Sequence, residues 1–295
     1  MFEVTLDNVG RFFASVSIKN PKKNQTLTFY AIKDLCICNR IDQFFLMRII
    51  QLIKSNIVVV IPAHNEELSI SRVIHKLDNY FTRNQVLIAD DGSTDGTFSI
   101  AKQLGVEIVR NQVNQGKGSI LAKSFMTVIS KRPNVKWIIT LDGDGQHRAE
   151  DIPKFYEIID NFPNVGIING KRDYLQMPFL NRISNTLTSK WCKFWLKWDI
   201  DDLQCGFRLY STDFLKEMLN YGVTSRKFDL ETEILFIAWL MDIKLIQVPI
   251  STVYFNQRRK SRIKPTFDTL RWIRLGVRFG FKMEFFHKIW TKRKI

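Results

Sequence analysis

The sequence predicts an α/β domain built on a mostly parallel central sheet flanked by helices. Three observations carry this expectation. Apolar runs such as Ile57-Val58-Val59-Val60-Ile61 and Val86-Leu87-Ile88-Ala89 are unbroken rather than alternating, the pattern of strands covered on both faces. Between them lie segments of helical spacing, as a series of β-α-β crossovers requires. Each run stops at a cluster of acidic, small and amide residues, and in open parallel sheets ligands collect at the carboxyl ends of strands.

Taken in order, strand 57–61 is followed by helix 66–80, where Ile70, Val73, Ile74 and Leu77 recur at helical spacing. Strand 86–90 leads into helix 96–104, then come a short strand 107–110, a helix from Gly118 to Lys131 and a strand 136–141. Farther on, Asn181–Trp198 sets Ile183, Leu187, Trp191, Phe194, Trp195 and Trp198 among Arg182, Lys190, Lys193 and Lys197. This reads as an amphipathic helix whose aromatic face suits core packing and an interfacial belt equally well. Asp229, Glu231 and Glu233 open one more helix of otherwise apolar residues, where acids also complement the macrodipole.

The chain divides by composition into three parts: 1–55, a 56–256 domain, and a basic segment 257–295. Residues 1–46 read as an extension, as residues upstream of a start at Met47, or as a small appendage of their own; they show no secretory signal. Net charge is +15, and Gln257–Ile295 carries 13 Lys and Arg against Asp268 and Glu284. There the cations interleave with Trp272, Ile273, Phe279, Phe281, Phe285, Phe286 and Trp290, a mixture expected of helices on anionic lipid; no nucleic-acid motif accompanies it. No run reaches the ~18 apolar residues of a membrane span. Cys36, Cys38, Cys192 and Cys205 form no ligand or disulfide framework, which fits a reducing cytoplasm.

The chemistry concentrates where the strands end. Ile138-Ile139-Thr140-Leu141 stops at Asp142-Gly143-Asp144, two carboxylates on one side of an extended chain. Such a pair suits one hard divalent cation shared with substrate phosphates, and a polar turn is the competing reading. Pro62-Ala63-His64-Asn65-Glu66-Glu67 closes the first strand, and Asp90-Asp91-Gly92-Ser93-Thr94-Asp95-Gly96-Thr97 closes the second. Asp90 or Asp91 is the natural reader of a base imide, whereas Asp95 reads as a helix cap. Lys117, between two glycines at a helix start, is placed to meet a phosphate.

With Asn114-Gln115-Gly116-Lys117-Gly118 added, these motifs occur in the order found in family 2 glycosyltransferases of the GT-A fold, which the chain resembles over roughly Asn56–Leu275. Gly170-Lys171-Arg172, Asp202 to Tyr210, Phe228 to Ile234, Val248-Pro249-Ile250 and Ser261 to Pro265 are similar to the dolichyl-phosphate mannose and glucose synthases and their bacterial undecaprenyl relatives. The resemblance implies a metal-dependent, inverting transfer of one hexose from a nucleotide-sugar donor, a UDP-sugar or GDP-mannose, to a polyprenyl phosphate acceptor at the cytoplasmic face of an anionic membrane. It implies Mg²⁺ or Mn²⁺ on Asp142, Asp144 and Gln146, with His147 behind them. It implies donor binding by Pro62, Ala63, Glu66, Asp90, Asp91 and Lys117, phosphate clamping by Arg172, Arg208 and Lys264, and a grip on sugar hydroxyls by Glu231 and Glu233.

Overall fold

The structure, a computed structural model, describes residues 2–6, 12–20, 25–32 and 56–253, apart from 175, 176, 178, 197, 198 and 226–228. The basic segment from 257 onward, with the expectations placed on it and on Lys264, lies outside the described residues. The chain separates into two units, Met1–Ile53 and Lys54–Ile295.

In the first unit β1 (Phe2–Leu6), β2 (Phe12–Asn20) and β3 (Gln25–Ile32) form an antiparallel sheet in the order β1-β2-β3. Stretches such as Ser15-Val16-Ser17-Ile18 and Thr26-Leu27-Thr28-Phe29 alternate with the period of two that strands require.

The second unit holds β4 (Ile57–Ala63), β5 (Val86–Asp90), β6 (Glu107–Arg110), β7 (Trp137–Thr140), β8 (Ile167–Arg172), β9 (Arg208–Ser211) and β10 (Leu245–Ile250) in one sheet of order β10-β8-β9-β7-β4-β5-β6. Every neighbouring pair is parallel except those of β9, which runs antiparallel to both β7 and β8. The helices are α1 (Ile70–Leu77), α2 (Thr97–Gln103), α3 (Lys117–Lys131), α4 (Ile152–Asn161), α5 (Phe179–Leu196), α6 (Thr212–Tyr221) and α7 (Leu230–Leu240).

The unbroken apolar run of β4 follows from burial on both faces. Val58 and Val60 pack into one hydrophobic layer with Ile120, Leu121 and Phe125 of α3, Phe214 and Leu215 of α6, and α7. Ile57, Val59 and Ile61 pack into the other, with Ile70, Val73 and Ile74 of α1 and Phe155 of α4. Residues Leu230–Trp239 of α7 are all buried, which accounts for a helix with no polar face.

Candidate active site

Pro62 begins the site. The β4–β7 ladder ends at Val60, whose carbonyl accepts Leu141 N–H at 3.3 Å. Two residues on, the backbone again faces β7, and Pro62 has no N–H to extend the ladder. The chain after β7 is thereby released, and Asp142 and Asp144 leave the sheet at its carboxyl rim. Gly143 packs against this end of β4: a Cβ there would lie 3.0 Å from the Pro62 carbonyl. Its lack of a side chain lets the two backbones approach closely. Glu66 is buried close by, its carboxylate accepting from Ser69 Oγ at 2.8 Å and its N–H donating to Thr97 Oγ1 at 2.7 Å.

Asp142 is the centre of the cluster. Lys117 Nζ, at the first residue of α3, lies 2.6 Å from Asp142 Oδ1 and 2.6 Å from Glu231 Oε1. His147 Nε2 lies 3.2 Å from Asp142 Oδ2, its ring tilted on Phe207, which stacks on Phe155. Burial opposes the charge of both Asp142 and Lys117, yet each holds the other ionised. With His147 adding to the effect, the Asp142 carboxyl falls far below the usual carboxylate range, and Lys117, between Asp142 and Glu231, is raised well above an ordinary lysine.

Asp144 stands differently. Burial first, and the Asp142 carboxylate second, push its pKa up, although Gln146 N–H donates to its Oδ1 at 2.9 Å. That excess negative charge fits a divalent cation, as do the hard oxygens that supply it. Among the described residues no three His, Cys, Asp or Glu side chains form a closed metal cage, and an open pair completed by substrate phosphates is the usual Mg²⁺ arrangement. Glu231 Oε2 is buried without a hydrogen-bond partner beside this cluster.

Sequence reasoning gave Gly206 no role. A Cβ on Gly206 would lie 2.5 Å from both Asp142 carboxylate oxygens, so only glycine lets this segment pass. Its carbonyl accepts Thr140 Oγ1 at 2.8 Å. The next residue reaches β8, where Gly170 N–H donates to Phe207 O at 2.9 Å. The signal was the glycine between Cys205 and Phe207, but its partner is distant in sequence.

Arg172, at the end of β8, is half-buried and bonds Asp202 through Nε at 2.7 Å and Nη2 at 2.9 Å. Asn185 of α5 donates to Asp202 Oδ1 at 2.8 Å, and Asn169 donates to the Asp202 carbonyl at 2.8 Å. Burial pushes the Asp202 carboxyl up, but Arg172 outweighs it and the pKa is lowered.

Three expectations need correction. Arg208 does not face a phosphate: it is fully buried, donating to the carbonyls of Leu203 at 2.5 Å and Glu231 at 2.6 Å, and so ties β9 to the start of α7. Glu233 does not face a sugar, because it is buried and accepts the N–H groups of Thr224 and Ser225, at 3.1 and 2.7 Å from Oε2. Asp90 is fully buried, with Ser93 N–H at 3.0 Å from Oδ1 and Arg110 Nε at 2.9 Å from Oδ2, so it staples its own loop rather than reading a base.

Asp91 is likewise committed to partners within the protein. It accepts Asn111 Nδ2 at 2.9 Å, Gln115 N–H at 2.9 Å and Gly116 N–H at 2.7 Å, and so fixes the approach to Lys117. Gly92 has φ +66° and would press a Cβ to 2.5 Å from the Val113 carbonyl carbon, a close approach only glycine allows. Asp95 accepts Thr97 N–H at 3.0 Å just ahead of α2, whose N-cap residue is Gly96 rather than Asp95.

A largely parallel sheet with one reversed strand, and an acid pair at its carboxyl rim, define the GT-A class of sugar-nucleotide transferases. The model of glycosyl transferase family 2 matches residues 58–219, more than half of the chain, and the chain belongs to that family. It is similar to the UDP-N-acetylglucosamine–dolichyl-phosphate N-acetylglucosaminyltransferase of Methanococcus voltae, at 27% identity over 67% of this chain and 86% of the relative. It is also similar to the polyprenol monophosphomannose synthase of Mycolicibacterium smegmatis, at 22% identity over 72% and 82%. In fold it matches glucosyl-3-phosphoglycerate synthase from Mycobacterium tuberculosis, solved with Mn²⁺, UDP-glucose and phosphoglyceric acid, at a TM-score of 0.58, 16% identity and coverage of 77% and 84%.

Proposed function

We propose that this glycosyltransferase moves one hexose from a nucleotide sugar to a polyprenyl phosphate, with inversion, at the inner face of a membrane. The observation that carries the reading is the convergence of Asp142, Asp144, Lys117 and Glu231 on one rim of the sheet. The named activities of the M. voltae and M. smegmatis relatives support the acceptor class.

In this reading Pro62, Ala63, Glu66 and the loop anchored by Asp91 shape the nucleotide side. Asp142 and Asp144, with Gln146 adjoining, would hold Mg²⁺ or Mn²⁺, which when bound supplies Lewis-acid stabilisation of the leaving diphosphate. Glu231 Oε2 accepts a sugar hydroxyl. Arg172 orients the acceptor phosphate, whose oxygen is already ionised at neutral pH and needs alignment more than a strong base. A phosphate oxygen then bonds to the anomeric carbon as the bond from that carbon to the diphosphate breaks.

No described helix is long and apolar enough to cross a membrane. On α5, however, Leu187 is 63% and Ile183 40% exposed, with Lys190 and Lys193 also at the surface, an arrangement that suits contact with anionic lipid. Incubating the protein with membranes, Mg²⁺ and a panel of radiolabelled UDP- and GDP-sugars is expected to yield organic-extractable label. Label confined to water-soluble products would replace the lipid acceptor by a glycan, protein or small molecule. Donor binding without any turnover would make the chain a silent binding protein.

A further inference from the structure

We propose that Lys117 is a resident cation that holds the Asp142 carboxylate until a divalent ion takes that carboxylate over, and that its ammonium then turns to the donor diphosphate. The inference rests on the metal and donor reading above. It arises from crowding at Asp142: Lys117 Nζ stands 2.6 Å from Oδ1, and His147 Nε2 stands 3.2 Å from Oδ2. The Gly206 backbone closes a further side of the same carboxylate. Mg²⁺ bonds oxygen ligands at roughly 2.0–2.1 Å, so a metal ion arriving here meets an oxygen already held by an ammonium. Two cations set side by side on one carboxylate repel each other, and that repulsion favours the departure of the more mobile one.

Of the groups around Asp142, the lysine is the one built to yield. Its ammonium is a compact charge on a four-carbon stem, so it can swing while the first turn of α3 stays in place. It also keeps an anionic partner, Glu231 Oε1 at 2.6 Å, and is not stranded as an uncompensated interior charge when it leaves Asp142. The backbone before it is fixed by the Asp91 carboxylate on Gln115 N–H and Gly116 N–H, so movement is confined to the side chain. Without a cation of either kind, Asp142, Asp144 and Glu231 would crowd negative charge at one partly buried rim. Lys117 thus keeps the acids assembled before metal arrives, and its displacement delivers a positive charge at the moment a diphosphate is to be bound.

The test uses the full chain and Mn²⁺ as probe. Mn²⁺ binding followed by electron paramagnetic resonance is expected to tighten about tenfold in Lys117→Met, the effect of removing a competing cation, while UDP and GDP binding in the presence of Mn²⁺ weakens by a similar factor. The unmodified protein gives a second measurement. Its Lys117 side-chain ammonium resonance, assigned with Lys117→Arg, is expected to shift on adding Mg²⁺ and again on adding UDP or GDP. Mn²⁺ affinity that is unchanged or lower in Lys117→Met, or an ammonium resonance indifferent to Mg²⁺, overturns the inference while leaving the metal site standing. Absence of any Mn²⁺ binding that Asp144→Asn abolishes overturns the metal reading, and this inference with it.

Discussion

Asp144 and Asp202 are both acids at the same rim, and they pull the fold in opposite directions. Asp144 has a folded pKa raised above 3.8, so its ionisation destabilises the protein as pH rises through that interval, and the loss remains at neutral pH. Asp144→Asn is therefore expected to raise the metal-free melting temperature at neutral pH while abolishing transfer; a lower melting temperature with turnover retained would make the residue structural. Asp202 has a folded pKa depressed below 3.8, so its contribution is present above that value and is lost as pH falls through the folded one. In Asp202→Asn the acid limb of the stability curve should flatten, measured by urea unfolding across pH. An acid limb identical to wild type would mean that the Arg172 pair adds nothing. Residue types with their spacing singled out Asp142, Asp144 and Lys117, and the family resemblance singled out Glu231; that Lys117 bridges Asp142 and Glu231 is visible only in three dimensions. Arg208 and Glu233 were misread because burial is a tertiary property: an arginine on two carbonyls and one on a phosphate look alike in one dimension.

At the scale of elements, hydrophobic period and turn residues located the β4 to β7 series closely. The first helix is shorter than 66–80 because the Asn65–Ser69 segment is used for docking. Asn65 takes φ 52°, and the N–H groups of Asn65, Glu66 and Glu67 donate to Ser93 Oγ, Thr97 Oγ1 and Asp95 Oδ2, which ties this segment to the loop after β5 ahead of α1. Gly170-Lys171-Arg172 form the end of β8 and pair with Val248–Ile250, a partnership invisible to local sequence pattern. Asp91→Ala should cost about 1–3 kcal/mol, because it strands loop amides that its carboxylate now satisfies. Donor binding should weaken with it. Denaturant unfolding and UDP titration together check this: weakened binding at unchanged stability would return Asp91 to base reading. Arg208→Ala should be worse for folding, at about 3 kcal/mol or more, by leaving the Leu203 and Glu231 carbonyls without their buried donor.

At the scale of the whole molecule, the proposed contact with lipid is tested through charge and exposed apolar surface. Leu187→Glu on α5, or truncation after Lys282, is expected to lower binding to anionic vesicles, the truncation in a salt-dependent way because screening shortens the reach of surface charge. Vesicle co-sedimentation at two ionic strengths checks both. Binding that is equal in the variants and wild type, on anionic and neutral vesicles alike, would return these segments to packing or protein contact.

The reversed strand β9 also has a consequence for biosynthesis. Residues through Thr140 supply β6, β5, β4 and β7, a four-stranded parallel ribbon that can assemble while the remainder of the chain is still being made. Its β7 edge, Trp137-Ile138-Ile139-Thr140, is apolar and awaits Arg208–Ser211, which cannot arrive until the β8 segment has been synthesised. An open apolar edge is a template for intermolecular pairing. Ribosome-stalled chains ending before Arg208 are therefore expected to recruit holding chaperones or aggregate, and chains extending past Ser211 with their exit-tunnel length added are expected to be released, so that β9 acts as the clasp ending the vulnerable interval of translation.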